Sequence, residues 1–192
     1  MASKLHKRFI LFVALAMGVT MITTLAARGQ EPKPGEYQVK AAYLYHFAKF
    51  VDWPSDSFKD DQSPVYLTIL GVNPFGPALD SIKDKTVKGR KLIIKQCPSI
   101  DLLGGCHILF ISPSEKANLK QILNALKNSS VLTVSETERF TQQGGMINFI
   151  TQDNRIQFEI NPVAAQRSRL KISSQLLKLA RIVATESPKE KE

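Results

Sequence analysis

The sequence predicts an α/β fold: a single compact domain with a mixed β-sheet of about five to six strands flanked by helices. Three observations carry this expectation. Val65-Tyr-Leu-Thr-Ile-Leu-Gly-Val72 and His107-Ile-Leu-Phe-Ile-Ser112 show too little alternation for half-exposed strands and read as central strands covered on both faces. Segments with helical apolar spacing separate such runs. Near the C-terminal end, Ile147–Ile150 and Arg155–Ile160 flank Gln152-Asp-Asn154, a hairpin signature that adds an antiparallel pair.

The elements follow in order. Lys4, His6, Lys7 and Arg8 precede an apolar run from Phe9 to about Leu25, and small residues stand at Ala26 and Ala27. This pattern predicts a cleaved secretory signal peptide over residues 1–27, with an uncleaved anchor as the rival. Residues 28–35, rich in Pro, Gly and charge, form a flexible linker, and one domain spans 36–185. From Glu36 to Val51 two apolar rows at helical spacing predict a largely buried helix: Val39, Ala42, Tyr43, Phe47, Phe50 and Ala41, Leu44, Ala48, Val51. Pro54 ends it and biases Trp53 toward the extended region. After a polar loop over 55–63 comes the Val65 strand. A turn at Asn73-Pro-Phe-Gly76 then opens a short helix over 77–83.

Arg90–Cys97 is the second strand and the His107 run the third. Ser112-Pro-Ser114 turns into a helix over about 114–127, and Val131–Val134 is the next strand. Asn161-Pro162 reads as an N-cap followed by Pro at the first helical position. A last helix is expected over 173–184, with Leu176, Leu177, Ala180 and Val183 on one face, before a solvated tail at 186–192.

Charge and cysteine content narrow the function. Removing Lys4, Lys7 and Arg8 with the signal lowers the formal net charge from +9 to +6. The remaining lysines are scattered, and an exported chain has no nucleic acid to bind. Cys97 and Cys106 are the only cysteines. In an oxidising compartment they invite a disulfide, closing a loop worth on the order of 2–3 kcal/mol; two separate buried thiols are the alternative.

Catalytic signatures are absent: no G-x-S-x-G, H-E-x-x-H, C-x-x-C or P-loop occurs. Gly71-Val-Asn-Pro-Phe-Gly76 lacks a phosphate-loop spacing, and Pro74 removes a backbone donor. Cys106 and His107 are chain neighbours on a strand and point to opposite faces, which disfavours a nucleophile–base pair. His46, His107 and the two cysteines have no zinc-site spacing, so neither metal nor cofactor is expected. Asp52 beside Trp53 reads as a solvent-facing helix terminus. Gly144-Gly145 reads as a tight turn or bulge entering a strand, with ligand approach as the alternative. Glu159 either pairs across the sheet, caps the next helix or contributes to a ligand site. No catalytic residue is assigned. An exposed apolar docking patch is expected near Trp53 and Phe58 or at the turn bearing Phe75.

Taken in order, KAAYLYHFAKFVDWP, TILGVNPFG, VKGRKLIIK, CHILFIS, VLTVSETERFTQQGGMINFI and NRIQFEINPVAAQRSRLKISSQLLKLARIV resemble the YfiR family of periplasmic proteins. The resemblance implies a compact α/β domain that is not an enzyme. It implies docking on the periplasmic domain of an inner-membrane diguanylate cyclase, with repression of cyclic-di-GMP output, biofilm matrix and attachment. It further implies sequestration by an outer-membrane lipoprotein with a peptidoglycan-binding domain, and it admits a homodimer. CHILFIS aligns Cys106 with the family's cysteine-bearing strand, leaving Cys97 as its disulfide partner. The namesake has two disulfides and this chain can form at most one, so the resemblance supports a stabilising bond rather than a redox sensor. A small-ligand module for a nucleotide, aromatic amino acid or peptidoglycan fragment is the second reading.

Overall fold

The computed structural model describes residues 35–183. The expected signal peptide, most of the linker and the solvated tail lie outside the described residues. Helix α1 spans Glu36–Phe50, with Gly35 before it in the left-handed region at φ 93°. Its buried residues are Lys40, Ala41, Leu44, Phe47 and Ala48. The second apolar row, with Phe47 of the first, is thus the core face, while Val39 of the first row is 45% exposed. The helix is half-buried rather than buried all round, because a single sheet face receives it.

Ten strands follow: β1 (Val51–Asp52), β2 (Val65–Leu70), β3 (Thr86–Val87), β4 (Arg90–Cys97), β5 (Ile108–Ile111), β6 (Leu132–Ser135), β7 (Ile147–Gln152), β8 (Arg155–Ile160), β9 (Lys171–Ile172) and β10 (Arg181–Ile182). Eight form one mixed sheet in the order β10-β8-β7-β6-β5-β2-β4-β3, so the sheet is wider than the sequence predicts. The additional strands β3 and β10 are two residues long and sit at the edges. Strands β4, β2, β5, β6 and β7 run parallel to one another, β3 is antiparallel to β4, and β8 turns back against β7. Asp153 and Asn154 take φ of 50° and 61° in the hairpin turn, a conformation that short polar side chains tolerate. Apart from the sheet, β1 and β9 pair antiparallel, Val51 opposite Ile172.

Register separates two layers. Ile69, Phe110, Val134, Ile147 and Ile160 line up across the strands and face the layer of α1. The adjacent row is Cys97, Leu70, Ile111, Ser135, Asn148, Glu159 and Arg181, apolar at one end and polar at the other. Its apolar half is packed by α2 (Leu119–Ala125) through Leu119 and Ile122. The polar half meets the turn before β7, where Thr141 Oγ1 donates to Glu159 at 2.9 Å. Gly145 closes that turn, and a Cβ there would stand 2.2 Å from the Phe140 ring, so the close approach requires glycine.

Helix α3 (Pro162–Arg167) is capped as its sequence predicts: Asn161 Oδ1 accepts from the Ala164 N–H, with Pro162 at the first turn. The expected C-terminal helix is shorter. Only Ser174–Leu177 is helical (α4), and the chain then enters β10, where Arg181 pairs with Glu159 in register. Leu179, just past this turn, is 73% exposed.

Candidate docking site

The end of α1 sets up the site. Pro54 stops the helix, and the chain leaves it extended through β1, held by β9 and by the Ser173 N–H donating to Phe50 O. Trp53 is thereby brought to the N-terminal end of the central strand β5. Its indole N–H donates to His107 O at 3.2 Å, and its ring meets the imidazole edge-on at 6.1 Å. A 3-10 turn over Ser55–Ser57 then delivers Phe58, which lies near-parallel to His107 at 4.5 Å between centroids. Tyr66 is also near-parallel to the imidazole, at 5.9 Å.

His107 is the centre of this cluster and is 6% exposed. Its Nδ1 accepts from the Tyr66 N–H at 3.1 Å. The other nitrogen, Nε2, lies 3.1 Å from Ser57 O and must carry the proton to donate there. Two cations face the outer aromatics: Arg90 Cζ stands 4.0 Å from the Phe58 ring, and Lys95 Nζ 3.7 Å from the Tyr66 ring. Burial first, then Arg90 and Lys95, lowers the His107 pKa, against the raising effect of the Ser57 carbonyl. The imidazole is neutral.

Beside it opens a cavity of about 570 Å³. Pro64, His107 and Val131, which line it, immediately precede β2, β5 and β6, so it sits at the N-terminal ends of the parallel strands. Arg169 crosses its rim, paired with Asp56 at 2.7 Å and donating to Ser130 Oγ at 3.3 Å. Ser57 contributes a buried hydroxyl with no hydrogen-bond partner. Its volume suits a small ligand or an inserted side chain, with Phe58, Pro64 and Val131 as the apolar part of a lining made mostly of polar residues.

Two of the three expected docking residues, Trp53 and Phe58, therefore meet on one imidazole. The third is corrected: Phe75 is 3% exposed, edge-on to Tyr37 at 5.2 Å and to Phe110 at 4.7 Å. It is a core residue under α1, and the exposed apolar side chain of that turn is Val72, at 71%. Asp52 is exposed and ion-paired with Lys88.

The cysteines are thiols here. Cys97 donates to Ser99 O at 2.9 Å and Cys106 to Ile108 O at 3.1 Å, within one apolar cluster on the α2 side. Burial pushes the Cys106 thiol up to about 11, so it holds little thiolate at neutral pH. With both nitrogens of His107 committed to Tyr66 and Ser57, the imidazole does not serve Cys106 as a base. Among the described residues no group of three or more His, Cys, Asp or Glu could hold a metal ion. No helix among them is long and apolar enough to cross a membrane.

Sequence reading missed His107 as the hub, along with Tyr66 and Arg169. Their partners lie 41, 50 and 113 positions away in the chain, and no local spacing encodes them. No curated protein matches the chain. Residues 37–181, which carry every element from α1 to the start of β10, match the YfiR/HmsC-like family, and the chain belongs to that family.

Proposed function

We propose that this chain is a periplasmic, non-enzymatic regulator. It docks on the periplasmic domain of an inner-membrane diguanylate cyclase, or a similar sensor protein, and lowers cyclic-di-GMP signalling and biofilm formation. The observation that carries this reading is the convergence of Trp53 and Phe58 on His107 beside an open cavity. Half-buried aromatics of this kind are the anchors that protein interfaces favour. An outer-membrane peptidoglycan-binding lipoprotein is the second partner in this scheme, competing for the same regulator. The test is direct: the protein should capture the cyclase's periplasmic domain, Phe58→Ala should weaken capture at least tenfold, and deleting the gene should raise cyclic-di-GMP. Unchanged cyclic-di-GMP together with failure to bind any such domain would reject the reading.

A second reading, small-ligand binding, is favoured by the unpartnered Ser57 hydroxyl in the cavity wall. A thermal-shift series with nucleotides, aromatic amino acids and peptidoglycan fragments tests it, with Ser57→Ala as the control. We also propose that Cys97 and Cys106 join as a stabilising disulfide in an oxidising compartment. Thiol titration of the denatured, unreduced protein should then find no free thiol, whereas two would reject the bond.

A further inference from the structure

We propose that His107 is a proton-operated latch on the docking wall: the neutral imidazole holds Trp53, Phe58 and Tyr66 together, and the imidazolium releases them. The consequence for docking rests on the function proposed above; the latch itself does not.

The hydrogen-bond pattern makes the device. Neutral His107 offers one acceptor, Nδ1, to the Tyr66 N–H, and one donor, Nε2–H, to Ser57 O. A proton taken from solvent can attach only to Nδ1. It then stands between that nitrogen and the Tyr66 N–H, two donors head to head at a separation of 3.1 Å. The ring must turn or leave, while the Ser57 contact alone would survive. Phe58, stacked on the ring, loses its support, and Trp53 loses its edge-on ring contact while keeping its N–H bond to the His107 carbonyl.

Beyond the Ser57 carbonyl, which favours the charged ring, the surroundings work against the imidazolium. From β4, Arg90 and Lys95 face the aromatic neighbours of the ring with positive charge. From the segment after β1, Asp56 and Lys59 line the cavity. Tyr66 of β2, Cys106 before β5 and Arg169 after α3 complete the titratable and charged lining. Asp56 is the single carboxylate in that lining, and Arg169 already holds it at 2.7 Å. Burial and the two β4 cations act in the same direction, toward the neutral ring. The transition therefore falls below the ordinary histidine value of about 6.5.

The chain has one tryptophan, Trp53, in contact with the latch, so its fluorescence reports the state of His107. Emission recorded from pH 7.5 to 4.5 should show a transition with its midpoint below about 6.5 while far-UV circular dichroism stays native. Lys95→Gln, at an exposed position, should move the midpoint upward by removing a facing charge, and His107→Gln should abolish it. A flat trace, a transition that survives His107→Gln, or loss of secondary structure at the same midpoint would overturn the latch. Binding of the cyclase domain should weaken across the same transition in the parent and not in His107→Gln. Failure of that domain to bind at any pH rejects the proposed function, whereas the fluorescence result decides the latch.

Discussion

Replacing Lys40 by Met should destabilise the fold far more than a surface substitution would. Lys40 is 3% exposed, yet its ammonium is ion-paired with both Glu36, one turn back on α1, and Glu136, just after β6. It also lies 4.8 Å from the Tyr37 ring centroid, and Tyr37 donates its hydroxyl to Glu136 at 3.0 Å. Burial of the ring, then the negative charge of Glu136 and the hydrogen bond to it, raise the Tyr37 pKa, so the phenol keeps its proton. Methionine fills the same volume but leaves two carboxylates, 18% and 12% exposed, without their common cation. Removing one partner of a buried ion pair costs about 3–5 kcal/mol, and the partial exposure of the glutamates points to the lower end, about 3 kcal/mol. For a domain of this size that lowers Tm by roughly 6–12 °C. Urea unfolding followed by circular dichroism measures it, and Lys40→Met/Glu136→Gln completes a double-mutant cycle that should recover about 1 kcal/mol or more. A Lys40→Met protein within about 1 kcal/mol of the parent, or a cycle without coupling, would refute the idea that this triad ties α1 to the sheet.

The His107 pKa shift also fixes the sign of a pH effect on stability. A histidine whose folded value is lowered binds fewer protons folded than unfolded, so its contribution is complete above the unfolded value near 6.5 and declines as pH falls through it, by at most about 1.4 kcal/mol per pH unit. His107→Gln should flatten that limb of a Tm-versus-pH profile. Gly145→Ala should cost about 1–3 kcal/mol, because its methyl meets the buried Phe140 ring; equal melting temperatures would show that the turn yields freely. Phe58→Ala removes a stacked ring and a cation–π contact and should cost about 1–2.5 kcal/mol in stability while secondary structure remains native.

Most of the fold was legible because local pattern and burial agree in it. The β4 limits, Arg90 and Cys97, match the predicted run, and Asn161-Pro162 caps α3 as read. Predictions failed where a distant partner overrode local periodicity. Leu176, Ala180 and Val183 fit a helix, but pairing of Arg181 with Glu159 draws the chain into an edge strand after one turn. Phe75 looked exposed in a Pro/Gly turn, and only the packing of α1 over that turn buries it. The candidate site was half legible. Trp53 and Phe58 stood out as aromatics at a helix end, whereas the imidazole that joins them enters from the opening of a strand some fifty residues later.

The clamp between β1 and β9 has a kinetic consequence. It joins Val51 to Ile172, so the loop it closes holds nearly the whole domain. Bringing such distant ends together costs on the order of 4 kcal/mol of chain entropy by the logarithmic scaling, before any contact is gained. Contacts of that separation form late in folding, after the local hairpin of β7 and β8. Trp53 lies just beyond the clamp and depends on it for its position. A chain completed only as far as β8 would thus present every strand up to there and yet lack a seated Trp53. Seating of Trp53 would arrive with the last sixth of the domain, as the final act of folding.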